Sequence, residues 1–224
     1  TSTNATLGLA NPAAIAAGTS GNVVLTPGAA TAGSLDSTLT LAFVSDARGI
    51  SGLSDLTLAS STVAVTGAAY DLAQPAYSDA ALAFGNVRKG GALAARNVAF
   101  ANTVKTSAAY QDSLGVLATS SSARLALTNP ALIAASGSAN LVVTPSTAVA
   151  GSLASTLTVN LTSNANGVAG LADQALTGGT IAVTGGVYDL AQPTHVSALS
   201  LGNVRVNSLA NLAVTNRTLS DAAY

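Results

Sequence analysis

The run Val65-Thr66-Gly67-Ala68-Ala69-Tyr70-Asp71-Leu72-Ala73-Gln74-Pro75 returns 118 positions later as Val183-Thr184-Gly185-Gly186-Val187-Tyr188-Asp189-Leu190-Ala191-Gln192-Pro193, so that Tyr70 is answered by Tyr188. The same spacing relates Asn11-Pro12 to Asn129-Pro130, Asn22 to Asn140, Thr26-Pro27 to Thr144-Pro145, Gly33-Ser34-Leu35 to Gly151-Ser152-Leu153 and Gly52-Leu53 to Gly170-Leu171. Downstream it contracts to 117, from Gly85 to Gly202 within a shared Gly-Asn-Val-Arg, and to 114, from Tyr110 to Tyr224. Such short deletions belong in loops. A period this long is out of scale with the roughly 20–30-residue coils of a parallel β-helix. It matches instead one small domain of several strands per period.

Within each period, short apolar runs alternate with Gly, Pro, Asn and Ser, the pattern of strands and turns. Strands are predicted at Asn22–Thr26, Thr38–Val44, Thr62–Thr66, Ala81–Val87 and Arg96–Ala101. In the second of these, Leu39, Leu41 and Phe43 fall on one side of the pleat and Thr38, Thr40 and Ala42 on the other. Leu157, Val159 and Leu161 repeat that alternation, as half-buried antiparallel strands do. Little helix is expected, because Pro and Gly bound the Ala-rich stretches such as Pro12–Ala17. The fold class predicted from these patterns is all-β, built as tandem immunoglobulin-like Greek-key β-sandwich repeats.

The run Leu82-Ala83-Phe84-Gly85-Asn86-Val87-Arg88-Lys89-Gly90, followed by Asn97-Val98-Ala99-Phe100-Ala101-Asn102-Thr103, resembles the opening strands of the bacterial choice-of-anchor D repeat domains, immunoglobulin-like modules of large exported proteins. Val143-Thr144-Pro145, Ala150-Gly151-Ser152-Leu153 and Leu157-Thr158-Val159 resemble that family's closing strands. The second copy departs from the pattern, with Leu201 at the position of Phe84 and Asn207 at that of Gly90. The resemblance implies a scaffold or spacer at the cell surface and offers no catalytic residues to transfer. On its phasing, residues 74–188 form a complete repeat, 1–73 the C-terminal part of a preceding one, and 189–224 the N-terminal strands of a following one. Thr1 corresponds to Thr119 and Tyr224 to Tyr110. The expectation is therefore either a window on a longer array or a subunit whose residues 189–224 complete the 1–73 part of a neighbouring copy.

Charged residues make up only 8% of the chain and its net charge is −1, so little repulsion keeps copies apart and association between them is cheap. Eight Lys and Arg are scattered without a cluster, which argues against nucleic acid, whose binding needs several phosphates neutralised together. There is no cysteine, so disulfides, thiolate metal sites and Cys nucleophiles are excluded. All nine acidic residues are Asp, and Met and Trp are absent. The chain reads as a processed mature protein or a segment of a longer one. No apolar stretch approaches the roughly 20 residues of a membrane helix. A Ser/Thr/Asn/Gly/Ala-rich, Lys-poor composition points to an extracellular location on a bacterial cell.

Candidate sites are few. The lone His195 stands where the other copy has Tyr77, and a single unpartnered imidazole makes neither a triad nor a metal site. Serines are plentiful but form no Gly-x-Ser-x-Gly elbow. The weak calcium candidates are Asp46, Asp55 and Asp173, the last paired with Asn164 in the loop equivalent to 45–55; without dense Asp-x-Asp spacing, these side chains read better as acceptors for turn backbone groups. Asp71 and Asp189, each after a Tyr, read as turn caps at a junction. Arg88 and Arg205 share a repeat position suited to a junction ion pair or to an exposed strand edge. Sequons at Asn4, Asn160 and Asn216 are expected by chance in so Asn- and Thr-rich a chain. No cofactor is implied and no enzyme is expected. The function read from the sequence is a structural repeat protein of an extracellular filament, sheath or surface layer, assembling with copies of itself. The alternative is an adhesin or carbohydrate-binding module, for which a surface glycan would be the partner.

Overall fold

A computed structural model describes residues 1–28, 31–217 and 223–224. Its strands, in chain order, are β1 (Leu7–Ala10), β2 (Val24–Pro27), β3 (Gly33–Ser34), β4 (Ser37–Leu41), β5 (Val44–Ser45), β6 (Leu56–Thr57), β7 (Ser61–Val65), β8 (Ala68–Ala69), β9 (Pro75–Tyr77) and β10 (Leu82–Arg88). They continue with β11 (Arg96–Asn102), β12 (Ser113–Ser120), β13 (Leu125–Thr128), β14 (Ser138–Pro145), β15 (Gly151–Ser152), β16 (Ser155–Asn164), β17 (Gln174–Tyr188), β18 (Pro193–His195) and β19 (Val214–Asn216). A short 3-10 turn, Ala108–Tyr110, precedes β12. No helix among the described residues is long and apolar enough to cross a membrane.

The long strands follow from alternation. In β16, Leu157, Val159, Leu161 and Ser163 are buried while Thr156, Thr158 and Asn160 face outward, as a two-residue period on a one-sided sheet requires. In β12, Leu114, Val116 and Ala118 point inward in the same way. Four strands pair in the order β13-β14-β11-β9, all antiparallel, in a sheet that stays open at both edges. Five others form a mixed sheet, β10-β17-β16-β12 with β15 on β17, in which β10 runs parallel to β17. Both sheets feed one core: Val98, Phe100, Leu125, Leu141 and Val143 from the first, and Phe84, Leu114, Leu157, Val159, Ile181 and Val187 from the second.

The all-β expectation holds, but tandem immunoglobulin-like Greek-key sandwich repeats are not what the chain builds. There is one core, formed by residues between Ala73 and Val187, and both large sheets come from that stretch. On either side of it lie separate two-stranded ladders, β1-β2, β3-β8, β4-β7, β5-β6 and β18-β19. The physical reason is a missing cover. A two-stranded ribbon cannot bury its own apolar face, and among the described residues no strands widen β1-β2 and β4-β7 as β11 and β9 widen β13-β14 and β10 and β12 widen β16-β17 into two facing sheets.

One break has a local cause. In β17 the strand runs unbroken past Gly178, where any Cβ would collide with the Val159 carbonyl oxygen at the irregularity between Val159 and Leu161. The equivalent residue of the first copy is Ser60. Its side chain is incompatible with that approach, and the corresponding stretch is divided into β6 and β7. The predicted strand Thr38–Val44 is likewise divided into β4 and β5, with Phe43 between them.

Candidate functional site

The ladders of residues 1–69 keep the register of their counterparts in the core region. Leu7 faces Pro27 as Leu125 faces Pro145, Gly33 faces Ala69 as Gly151 faces Val187, and Ser37 faces Val65 as Ser155 faces Val183. Ser2 bridges Leu39 as Ser120 bridges Leu157. Backbone geometry is thus shared, while burial is not. Phe43 is 44% exposed where Leu161 is 2%, and Val63 is 45% exposed where Ile181 is fully buried. Leu25 and Ile15 are also exposed, whereas Val143 and Ile133 are core residues. Only Leu7 and Leu39 are buried among the large apolar side chains of the described part of residues 1–69.

The other flank shows the reverse half of the same pattern. In β18-β19, Pro193 faces Asn216 and His195 faces Val214, in the register of β9-β11, where Pro75 faces Asn102 and Tyr77 faces Phe100. Asn102 Oδ1 accepts from the Gln74 amide at 2.9 Å and Asn216 Oδ1 from the Gln192 amide at 2.9 Å. Yet Val214 is 63% exposed, whereas Phe100 is fully buried. Leu212 and Leu201 are exposed, whereas Val98 and Phe84 are core. The candidate site is therefore a pair of apolar faces on the two flanks, one with the backbone of β13–β17 and one with the backbone of β9–β11.

His195 is exposed on β18, with Nδ1 2.8 Å from the Val196 carbonyl. It takes the place of Tyr77, whose ring stacks on Phe100 at 4.7 Å. The calcium candidates act as turn acceptors. Asp46 Oδ1 accepts from the Arg48 amide at 2.7 Å and Asp55 Oδ1 from the Ala47 amide at 2.8 Å. Asp173 accepts from Asn164 Nδ2 at 2.7 Å and from the Ala165 amide at 3.0 Å. Among the described residues no three His, Cys, Asp or Glu side chains are grouped to hold a metal ion. Arg88 ends β10, exposed, and Arg205 is exposed in the other flank; it is the neighbouring Lys89 whose Nζ approaches Asp189, at 3.6 Å. Asn4 Oδ1 accepts from the amide of Thr6 at 2.9 Å, and Asn160 lies on the outer side of β16. Thr218 of the third sequon and Ala222 of the last repeat match lie outside the described residues.

At the junctions, Tyr70 meets Tyr110 edge-on at 5.7 Å and Tyr188 meets Tyr224 at 5.3 Å. The Asp71 amide donates to the Tyr110 carbonyl at 2.9 Å and the Asp189 amide to the Tyr224 carbonyl at 3.3 Å. A hydrogen bond from Thr106 holds the Asp71 carboxyl below the ordinary aspartate range; burial opposes this, and Lys105, with Nζ 3.1 Å from Oδ1, reinforces it.

The sequence reading missed a buried polar cluster beside this junction. Asn102, with no exposed surface, uses all its hydrogen-bonding capacity: Oδ1 accepts from Gln74 and from Gln111 Nε2 at 2.9 Å each, and Nδ2 donates to the carbonyls of Asp112 at 2.9 Å and Ile133 at 3.1 Å. Ser163 Oγ donates to Asp112 Oδ2 at 2.7 Å and accepts from the Ala73 amide at 2.8 Å. The signal for it was the identity of Asn102 and Asn216 across the repeat. No family model and no curated protein matches this chain.

Proposed function

We propose that this chain is a non-enzymatic structural protein of a bacterial cell exterior, part of a filament, sheath or surface layer held together by contacts between copies. One observation carries the reading: Ile133, Val143, Leu161 and Ile181 on one side, and Phe84, Val98 and Phe100 on the other, are core in residues 74–188, while their repeat equivalents Ile15, Leu25, Phe43 and Val63, and Leu201, Leu212 and Val214, are solvent-exposed on the two flanks. Exposed apolar residues scattered singly need no explanation, but aligned faces that repeat a core pattern do. Each side chain of this size that leaves water contributes roughly 1.5–3 kcal/mol. Covering several of them is enough to drive association. Low charge and near-zero net charge remove the repulsion that would oppose it. The resemblance to repeat modules of exported proteins fits the location, and the side chains at the flanks offer packing rather than chemistry.

The test is sedimentation velocity over a hundredfold range of protein concentration, with electron microscopy of the concentrated sample. Growing species and an extended or sheet-like assembly are expected. A compact monomer throughout would end the proposal.

A further inference from the structure

We infer that the occupant of these faces is a second copy of this chain, seated in the register already used inside residues 74–188, with residues 210–215 of one copy, which run into β19, paired antiparallel to residues 20–25 of the next, which run into β2. The inference rests on the self-assembly reading and adds to it the partner, the strand edges and the alignment.

In the core region β14 is flanked by β13 on one side and β11 on the other. In the flank, β2 has β1 where β14 has β13 and, among the described residues, no neighbour in the place of β11. Conversely, β11 lies between β14 and β9, whereas β19 has β18 in the place of β9 and, among the described residues, no neighbour in the place of β14. The two open edges are therefore the complementary halves of one known pairing. Unpaired edges of this kind are satisfied by strand addition.

Both halves are partly preformed, and residues 20–23, 199–204 and 210–213 take up strand pairing on binding. Residues 1–69 carry the ladders of 119–187, as described above. Residues 189–217 carry the local geometry of 71–103 beyond the β18-β19 register. The Arg217 amide donates to the Gln192 carbonyl at 2.9 Å as the Thr103 amide does to that of Gln74 at 2.8 Å. The Ser208 amide donates to the Arg205 carbonyl at 3.2 Å as the Gly91 amide does to that of Arg88 at 2.8 Å. The turn between them holds Asn207 at φ 71° where Gly90 has φ 77°, a left-handed conformation that Asn tolerates better than other side chains. The turns and β18-β19 ladder already in place reduce, without removing, the ordering that binding requires.

The alignment follows by transfer. Within the core region Val98 faces Leu141, Ala99 faces Asn140 and Phe100 faces Ala139. Shifting β11 to its equivalents and β14 to its own places Leu212 opposite Val23, Ala213 opposite Asn22, and Val214 opposite Gly21. The parallel pairing of β10 with β17, in which Leu82 faces Val183 and Val87 faces Val187, places Leu199 opposite Val65 and Val204 opposite Ala69. Leu201 and Val214 stand for Phe84 and Phe100, and Phe43 for Leu161, so every named position stays hydrophobic while the transferred core holds one large ring in place of two.

The absence of cysteine allows a direct test. Ala99 and Asn140 are both exposed and face each other, and antiparallel partners lie at a separation a disulfide can span. Chains carrying Ala213→Cys are mixed under mild oxidation with chains carrying Asn22→Cys, and separately with chains carrying Thr26→Cys as an off-register control. Sedimentation is run on the same mixtures. The expected result is a mixed disulfide formed at least tenfold faster with Asn22→Cys than with Thr26→Cys. Self-association without that preference overturns the inference and leaves the assembly reading standing. A monomer at every concentration removes both. If the double variant Ala213→Cys/Asn22→Cys closes within single chains at a rate independent of concentration, the occupant is the chain's own flank and the inference fails.

Discussion

Residues 119–188 and residues 1–70 are two versions of one strand plan with opposite fates. In the first, β9–β12 join β13–β17 to complete two sheets that close on one core, and Leu157, Val159, Leu161 and Ile181 vanish from solvent. In the second, the ladders keep the same register, yet Phe43 and Val63 remain exposed. Backbone pairing therefore does not need the core, but burial does. The difference teaches that strand register is a local property of these sequences, set by turn residues and alternation, whereas side-chain burial depends on a covering layer.

This comparison can be broken most forcefully at Leu161 and Phe43. Leu161→Ala opens a cavity in a filled core and should cost about 2–5 kcal/mol, while Phe43→Ala should change stability by about 0.5 kcal/mol or less at concentrations too low for association. Urea denaturation of the two variants at sub-micromolar protein tests this; equal losses would mean that both copies have closed cores.

A smaller contrast is expected at the two equivalent asparagines. Asn102→Ala strands the Gln74 amide and the Asp112 carbonyl beside the core, at a cost of about 1–3 kcal/mol. Asn216→Ala leaves its partners in water and should cost about 0.5 kcal/mol. Thermal melts of both variants give the comparison, and parity between them would show that burial does not govern this hydrogen bond. Gly178→Ser copies into β17 the residue that the first copy has at Ser60. It should cost roughly 1 kcal/mol, the lower end for forcing an extra side chain into a packed site. Hydrogen exchange should show lost protection at residues 174–180, and an undisturbed strand would reject the steric account of the β6–β7 break.

The slightest effect is the pH dependence at Asp71. Its carboxyl titrates lower in the folded chain than in the unfolded one, so its stabilisation is fully present above the unfolded aspartate pKa of about 3.9. It is lost as pH falls through the lower, folded value. The stability gap between the native chain and Asp71→Asn should accordingly be constant above about pH 5 and close on acidification below the unfolded pKa. A gap that widens on acidification would contradict the arrangement of Thr106 and Lys105 around this group.

Much of the strand plan was legible in the sequence. The repeat from Tyr70 to Tyr188 located equivalent turns, and alternation in Thr38–Val44 and at Leu157, Val159 and Leu161 assigned inward and outward faces, because a pleated strand has a fixed period of two. The predicted Ala81–Val87 and Arg96–Ala101 became β10 and β11 with ends shifted by a residue. What could not be read was which copy of each face would be covered. Leu161 and Phe43 occupy one repeat position and carry comparable hydrophobicity, and nothing local to either tells that β9–β12 complete the sheets around only the former. Nor did the sequence reveal the cluster of Asn102, Gln111, Asp112 and Ser163, whose members lie up to 61 positions apart, from Asn102 to Ser163, and meet where the ends of β11 and β16, in different sheets, are linked through Gln111 and Asp112. The amino-acid order by itself determined pairing, register and turns, which depend on neighbours along the chain and on the handedness of the backbone. The tertiary structure decided burial, and with it the two apolar flanks, because removing a face from water requires a second surface that no single strand can supply.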